Sequence, residues 1–130
     1  MLKHLHIENY ALIEQLDIDL KDGFSVITGE TGAGKSILMG ALGLLLGAKP
    51  DAESALKDRT RNCVVEATFA IEQLGLEPLF EEYDLDYEPQ TLIRRVIMPS
   101  GKSRSFVNDV PVQAAVLKVL GEYLIDIHSQ

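Results

Sequence analysis

The chain has 130 residues, which limits it to one domain at most, and its 46% hydrophobic content suffices for a core. Its 12 basic and 20 acidic residues give a net charge of −8, which excludes general nucleic-acid binding without a local basic patch. The single cysteine, Cys63, excludes a disulfide framework and fits a reducing cytosol, and we expect neither a signal peptide nor a membrane span, which would need roughly 18 consecutive apolar residues.

The first predicted elements are two paired strands. One begins at residues 5–8, and its partner covers residues 13–20, where apolar and acidic side chains alternate. This period of two is typical of a half-buried strand. Residues 21–23 predict a hairpin turn into a third, apolar strand over residues 24–28, which is expected to be central.

A complete phosphate-binding motif of the form G-x-x-x-x-G-K-[ST] follows the third strand directly. It consists of Gly29, Glu30, Thr31, Gly32, Ala33, Gly34, Lys35 and Ser36. Glycines let the backbone approach a phosphate closely, and successive amide N–H groups form a concave anion site. Lys35 is expected to reach the β- and γ-phosphates of a nucleotide, and the Ser36 hydroxyl to ligate Mg²⁺. The alternative interpretation is a glycine-rich turn with an incidental Lys-Ser pair.

The motif is predicted to open a helix over residues 35–46, whose positive dipole end would face the phosphate. The helix is apolar nearly all round, which indicates burial. Gly40, Gly43 and Gly47 lie near one face of it. We expect another element to pack closely there, since glycines without such a role would only weaken the helix.

The middle of the chain predicts one strand between two polar segments. Residues 51–62 are predicted to be a loop, and residues 63–71 are rich in β-branched side chains, typical of a strand in which Cys63 is buried and inert. Residues 74–87 are acidic and are predicted to be helical in part. The acidic run over 77–88 is interpreted as a solvated face rather than as a catalytic pair of carboxylates.

Two further strands are predicted over residues 91–97 and 103–108, joined by a turn. This basic hairpin holds the densest positive charge of the chain. Its four cations are Arg94, Arg95, Lys102 and Arg104. Arg94 and Arg95 are expected on opposite faces of a regular strand, whereas Lys102 and Arg104 are expected to share a face. Either these cations contact a DNA backbone, or they keep an exposed edge ribbon soluble.

The end of the sequence predicts a turn at residues 108–109, a helix that Pro111 opens over residues 112–122, and a strand over residues 123–127. Asp126 in that strand is either an acid of an Mg²⁺ shell or a carboxylate that orders the next turn. The chain has no Asn-Lys-x-Asp guanine motif, which disfavours a GTPase. The three histidines are too scattered along the sequence to suggest a metal site.

Together these segments resemble the RecN family of bacterial DNA repair proteins, which are SMC-like ATPases of ABC type. The similar segments are the phosphate loop and the apolar helix after it, the strand turn at 9–14, the basic hairpin, the Val-Pro-Val run at 110–112 and the segment at 124–130. Asp109 and Ser129 stand where the family usually has glycine, and residues 51–90 match only loosely.

The resemblance implies a partial protein with the α/β fold of a P-loop NTPase of ABC or SMC-head type, with a mixed sheet and an antiparallel β-subdomain. Residues 1–130 would form the N-terminal lobe of a head and end at the Q-loop glutamine, Gln130, which by analogy senses Mg²⁺ and the attacking water. The signature motif, the Walker B acid and the catalytic glutamate would lie in a C-terminal lobe, so Asp126 is not the Walker B acid.

The resemblance further implies ATP and Mg²⁺ as ligands and a role in the repair of DNA double-strand breaks. The implied partners are the C-terminal lobe of the same protein, a second head in a homodimer, and DNA, with no membrane. The implied location is the bacterial cytoplasm, at the nucleoid. We expect the full-length protein to hydrolyse ATP and this part alone to be inactive.

Three alternatives remain open. Another SMC-like or RecF-like head would share the phosphate loop, but Glu30, Thr31 and the segment at 126–130 favour RecN. A small stand-alone P-loop kinase would need a basic lid and a complete acid site within the chain, and neither is evident. The third alternative is a non-catalytic interaction fragment.

Overall fold

The structure is a computed structural model that describes residues 1–20 and 32–124. The strands are β1 Leu2–Tyr10, β2 Ile13–Asp19, β3 Cys63–Ala70, β4 Gln90–Ile97, β5 Ser103–Val107 and β6 Val110–Val112. The helices are α1 Gly32–Leu45, α2 Ala52–Ala55, α3 Glu77–Glu82 and α4 Ala114–Leu124. The predicted strand over residues 24–28 and the turn before it lie outside the described residues.

The described strands form a single six-stranded antiparallel sheet in the order β2-β1-β3-β4-β5-β6. The predicted pairing of the first two strands is confirmed, with Ile7 opposite Leu16 and Tyr10 opposite Ile13. The hairpin of β4 and β5 is also confirmed, with Arg94 opposite Phe106. The strand β3 inserts between β1 and β4, so the two hairpins share one continuous sheet.

One face of this sheet carries the core. Along β3 the buried residues are Cys63, Val65, Ala67 and Phe69, which alternate with half-buried ones. The helix α1 packs against β3 and β4, and α4 packs against β5, all on this face. The prediction of a buried Cys63 is confirmed, and burial raises the pKa of its thiol to about 11, which keeps it protonated and unreactive.

The helix α1 begins three residues before the predicted start and ends at Leu45. It is not buried all round, because Ser36 and Gly40 are exposed whereas the turn from Ala41 to Leu45 is mostly buried. Close packing is confirmed at Gly40, where a Cβ would lie 2.5 Å from the Tyr10 hydroxyl oxygen. At Gly43, no described atom of another element lies within 4 Å of that position.

The prediction that Pro111 opens a helix is wrong. Pro111 lies in β6 and pairs with Phe106, and α4 begins only at Ala114. The short edge strand tolerates proline because one side of an edge strand needs no N–H donor for the sheet. Tyr123 and Leu124 are helical rather than the start of a strand, and residues 125–127 lie outside the described residues.

The turn predicted at residues 108–109 is confirmed and joins β5 to β6. Asn108 and Asp109 have φ angles of 48° and 67°. Two left-handed residues in succession match the twist of a tight hairpin, and Asn and Asp tolerate this region better than most residues. The Asn108 side chain accepts a hydrogen bond from the Leu92 N–H at 2.8 Å and donates one to the Asp86 carbonyl at 3.0 Å.

No described helix combines the length and the apolar composition that crossing a membrane requires.

Replacing Asn108 with alanine should lower the free energy of unfolding by about 1–3 kcal/mol, because the variant loses both hydrogen bonds and strains a left-handed backbone. Urea denaturation of the wild type and the variant measures this difference. Asp109→Gly is the matched control and should change stability by no more than about 0.5 kcal/mol, since glycine accepts a positive φ and the ion pair of Asp109 is exposed. Equal losses in the two variants would contradict the role assigned to Asn108.

Candidate nucleotide site

The predicted phosphate loop runs into the first turns of α1. Its residues Gly32, Ala33, Gly34, Lys35 and Ser36 begin the helix, whereas Gly29, Glu30 and Thr31 lie outside the described residues. The first N–H groups of a helix have no partner within the helix and carry the positive end of its dipole. No acidic residue lies in this first turn, and the Ser36 side chain is exposed. This end of α1 is therefore suited to an anion such as a phosphate.

The end of strand β1 contacts the middle of α1. Its last residue, Tyr10, packs against Gly40, a position where any side chain would collide with the hydroxyl group. Tyr10 also forms an isolated bridge with Leu56, directly after α2. The end of β1 thus connects the middle of α1 to the segment that follows α2.

That segment is held by Asn9, a residue that the sequence analysis treated only as part of a strand turn. Asn9 is 1% exposed and has a φ of 54°. Its amide donates to the carbonyls of Asp58 and Arg61 at 2.9 and 3.0 Å, and its side-chain oxygen accepts from the Asp58 N–H at 2.6 Å. The only signal in the sequence is that asparagine tolerates positive φ and carries both a donor and an acceptor.

The four cations of the basic hairpin do not share one surface. Arg95 is 2% exposed and lies on the buried face, so the interpretation of this residue as a DNA contact is wrong. Its Nη1 donates to the Leu44 carbonyl at 2.8 Å and also to the Ala48 carbonyl, and its Nη2 donates to the Ser103 hydroxyl at 3.2 Å. Because its guanidinium is buried, Arg95 offers no donor at the surface.

The other three cations lie on the opposite face or at the tip of the hairpin. Arg94 is half-buried, 3.2 Å from the Asp109 carboxylate and 3.7 Å from that of Glu66, with its guanidinium 4.7 Å above the Phe106 ring. Lys102 and Arg104 are exposed. The expected opposite directions of Arg94 and Arg95 are confirmed, and only Lys102 and Arg104 remain as exposed cations of the hairpin.

The remaining site residues from the sequence analysis are not brought together by the described structure. Gln130, Asp126 and His128 all lie outside the described residues. Within residues 1–20 and 32–124, no group of three or more His, Cys, Asp or Glu side chains is arranged to hold a metal ion.

The two described histidines instead form a cluster with carboxylates on β1 and β2. His4 lies 2.6 Å from Asp19 and 2.5 Å from Asp17, and His6 lies 2.7 Å from Glu8. The hydrogen bond with Asp19 raises the pKa of His4, and the hydrogen bond with Glu8 raises that of His6. His4 therefore pairs with acidic neighbours across the first hairpin, whereas His6 pairs with Glu8 of its own strand and, at 3.1 Å, with Asp17 across the hairpin.

A family model described as an AAA domain matches residues 4–97, which is more than half of the chain. The chain belongs to the AAA domain family. This membership indicates a nucleotide-binding domain in kind, in agreement with the anion-suited end of α1.

This AAA domain also matches proteins named DNA repair protein RecN. It is 40% identical to the one from Haemophilus influenzae over 100% of this chain and 24% of that protein. It is 38% identical to the one from Vibrio cholerae, again over 100% of this chain and 24% of that protein. The resemblance to RecN is confirmed, and the chain spans about a quarter of the length of these curated relatives.

Solved structures of SMC heads have the same fold. A chain from work on the ATP-driven dimerization and DNA-stimulated activation of SMC ATPases gives a TM-score of 0.70 at 19% identity, covering 94% of this domain and 78% of that chain. An Smc head bound to the C-winged helix domain of ScpA gives a TM-score of 0.66 at 17% identity, covering 94% of this domain and 40% of that chain. The predicted fold class, the N-terminal part of an SMC-type head, is confirmed.

The histidine cluster makes stability depend on pH in a defined direction. Because both pKa values are raised on folding, the stabilisation is complete below about pH 6.5, the pKa of an unfolded histidine, and is lost as the pH rises through the raised values. The urea midpoint of the wild type should therefore fall, relative to a His4→Gln, His6→Gln double variant, as the pH rises above about 6.5. Parallel pH profiles of the two proteins would contradict this role of the cluster.

Proposed function

We propose that this chain is the ATP-binding N-terminal lobe of a RecN-like ATPase head that acts in the repair of DNA double-strand breaks. The observation that carries the proposal is that Gly32 to Ser36 begin α1, a helix that packs on the sheet. The fold formed by this helix and sheet matches that of SMC heads. The similarity to RecN proteins over the whole chain supports RecN over another SMC-like or RecF-like head, since the SMC structures are less than half as identical.

Residues 1–130 act as one lobe that ends at the Q-loop. The phosphate loop supplies one half of a composite site, and the Walker B acid, the catalytic glutamate and the signature motif come from the C-terminal lobe and from a second head. We infer that ATP hydrolysis belongs to the full-length homodimer and that this lobe alone turns over no ATP. The proposed location is the bacterial cytoplasm, at the nucleoid.

The residues of the loop fit a nucleotide with Mg²⁺. The N–H groups at the start of α1 have no partner within the helix and so favour a phosphate, and the absence of acidic residues in its first turn removes a source of repulsion. Lys35 is proposed to bind the β- and γ-phosphates, and Ser36 to ligate Mg²⁺ together with Gln130. Bound Mg²⁺ supplies charge neutralisation on the phosphates. The chain's own residues bind and orient the nucleotide.

DNA is the proposed partner of the hairpin tip. In a chain with a net charge of −8, the exposed side chains of Lys102 and Arg104 are the members of the basic hairpin that remain available to a phosphate backbone. Arg94 supports them from the same face, although its charge is shared with Glu66 and Asp109.

The nucleotide site is tested by Lys35→Ala in the full-length protein. The variant removes a charge-assisted contact with phosphate worth about 1.5–3 kcal/mol, so its ATP dissociation constant should rise about 10- to 150-fold. Titration with a fluorescent ATP analogue in the presence of Mg²⁺ measures this change. Lys57→Ala, a change at an exposed lysine that pairs with Glu14 of β2, is the control and should leave the affinity as it is. Unchanged affinity in Lys35→Ala would overturn the proposed site.

The DNA partner is tested by Lys102→Glu combined with Arg104→Glu in the full-length protein. DNA affinity should fall and its salt dependence should flatten, because two cations that release counterions from DNA become repulsive. The matched control is Lys49→Glu with Lys118→Glu, which makes the same charge change at exposed positions away from the hairpin tip. If both double variants lose DNA affinity equally, net charge and not the hairpin explains the binding; if the hairpin variant loses ATP affinity instead, the hairpin contacts the nucleotide.

A further inference from the structure

Arg95 is the largest fully buried side chain in the described structure, and it is a cation in an apolar core. Within the described residues it has no ion pair with a carboxylate, and its Nε is buried without a hydrogen-bond partner. Burial lowers the pKa of its guanidinium, but arginine stays charged in proteins. Burying a charge without a counterion costs free energy, so the groups around Arg95 must compensate for that cost.

The neighbours of Arg95 are carbonyl groups at the C-terminal end of α1. One nitrogen, Nη1, donates to both the Leu44 and the Ala48 carbonyls. The last carbonyls of a helix lack partners within it and carry the negative end of the dipole, so a cation there is stabilising. The last turn of α1 contains no basic residue of its own. Arg95 supplies the missing cation from β4.

The C-terminal end of α1 is tightly enclosed by α4. Gly47, with a φ of 103°, follows the helix, and a Cβ there would lie 2.8 Å from the Ala114 carbonyl oxygen of α4. On the other side, a Cβ at Gly121 of α4 would lie 3.0 Å from the Leu46 Cβ. Towards the other end of the helix, Ser36 is exposed. Helix α1 is therefore held tightly at the end that is remote from the phosphate loop.

We propose that Arg95 is a positioning residue for the nucleotide site, because it fixes the C-terminal end of α1 and thereby places the first turn of that helix against the phosphates. The inference rests on the proposed nucleotide function of this turn. A helix of 14 residues is about 20 Å long and stiff, so a shift or rotation at one end moves the other end with it.

The chemistry of the three acceptors explains why the residue is arginine. The guanidinium reaches Leu44 and Ala48 with one nitrogen and the Ser103 hydroxyl with another, so it ties α1 to both strands of the hairpin. Lysine carries the same charge on a single nitrogen and lacks the planar fork. Methionine has a similar length and satisfies none of the carbonyls. Arginine, lysine and methionine at this position therefore form a graded series in the ability to donate hydrogen bonds to these acceptors.

The experiment compares Arg95→Lys and Arg95→Met in the full-length protein by titration with a fluorescent ATP analogue and Mg²⁺. The ATP dissociation constant should rise roughly two- to thirtyfold in Arg95→Met, the range for residues that act through an intervening element, with Arg95→Lys between it and the wild type. Asn108→Ala is the matched control, because it destabilises the same sheet without touching α1. Thermal unfolding of all variants shows how far each is destabilised.

Reduced ATP affinity in the Arg95 variants, with unchanged affinity in an equally destabilised Asn108→Ala, supports the positioning role. Unchanged affinity in Arg95→Met, or an equal loss in Asn108→Ala, overturns it and leaves Arg95 as a core residue only. If Arg95→Met does not fold, Arg95→Lys decides by the same comparison. Unchanged affinity in Lys35→Ala would instead remove the proposed function itself, so the two failures are distinguishable.

Discussion

The two ends of helix α1 need partners of opposite charge. Every α-helix has unpaired N–H groups at its start and unpaired carbonyls at its end. In this domain the start, Gly32 to Ser36, is left without acidic neighbours in its first turn, as an anion site requires. The end is instead enclosed by Arg95, Gly47 and α4. The sheet and α4 are arranged so that both conditions are met by a single helix.

The alternating direction of the side chains along each strand makes this arrangement possible. Successive residues of a strand point to opposite faces, so each strand that supports α1 also presents an outer face. On β3 and β4 the inner residues include Val65, Phe69 and Ile93, whereas Glu66 and Arg94 pair on the outer face. A strand of this sheet therefore contributes to the core and to the surface charge at once, and neither function can be assigned to a strand as a whole.

Local patterns predicted most of the fold, because hydrophobic alternation and turn residues act over a few positions. The described strands, the hairpins and the turn at Asn108 follow from such patterns, and the motif at 29–36 predicted the helix that follows it. Pro111 was misplaced because proline suits both the first turn of a helix and an edge strand, and only the tertiary partner Phe106 distinguishes the two. Asn9 was missed because its partners lie about fifty residues further along the chain.

Arg94 and Arg95 show why a count of charges could not identify the basic surface. They are adjacent in sequence, and the period of two sends one to the outer face and the other into the core. Outside, the charge of Arg94 is shared between two carboxylates and an aromatic ring, all solvent-accessible in part. Inside, the described partners of the Arg95 charge are two carbonyls and a hydroxyl. The same side chain thus stabilises a sheet surface at one position and a helix end at the next, and only the register of the strand determines which.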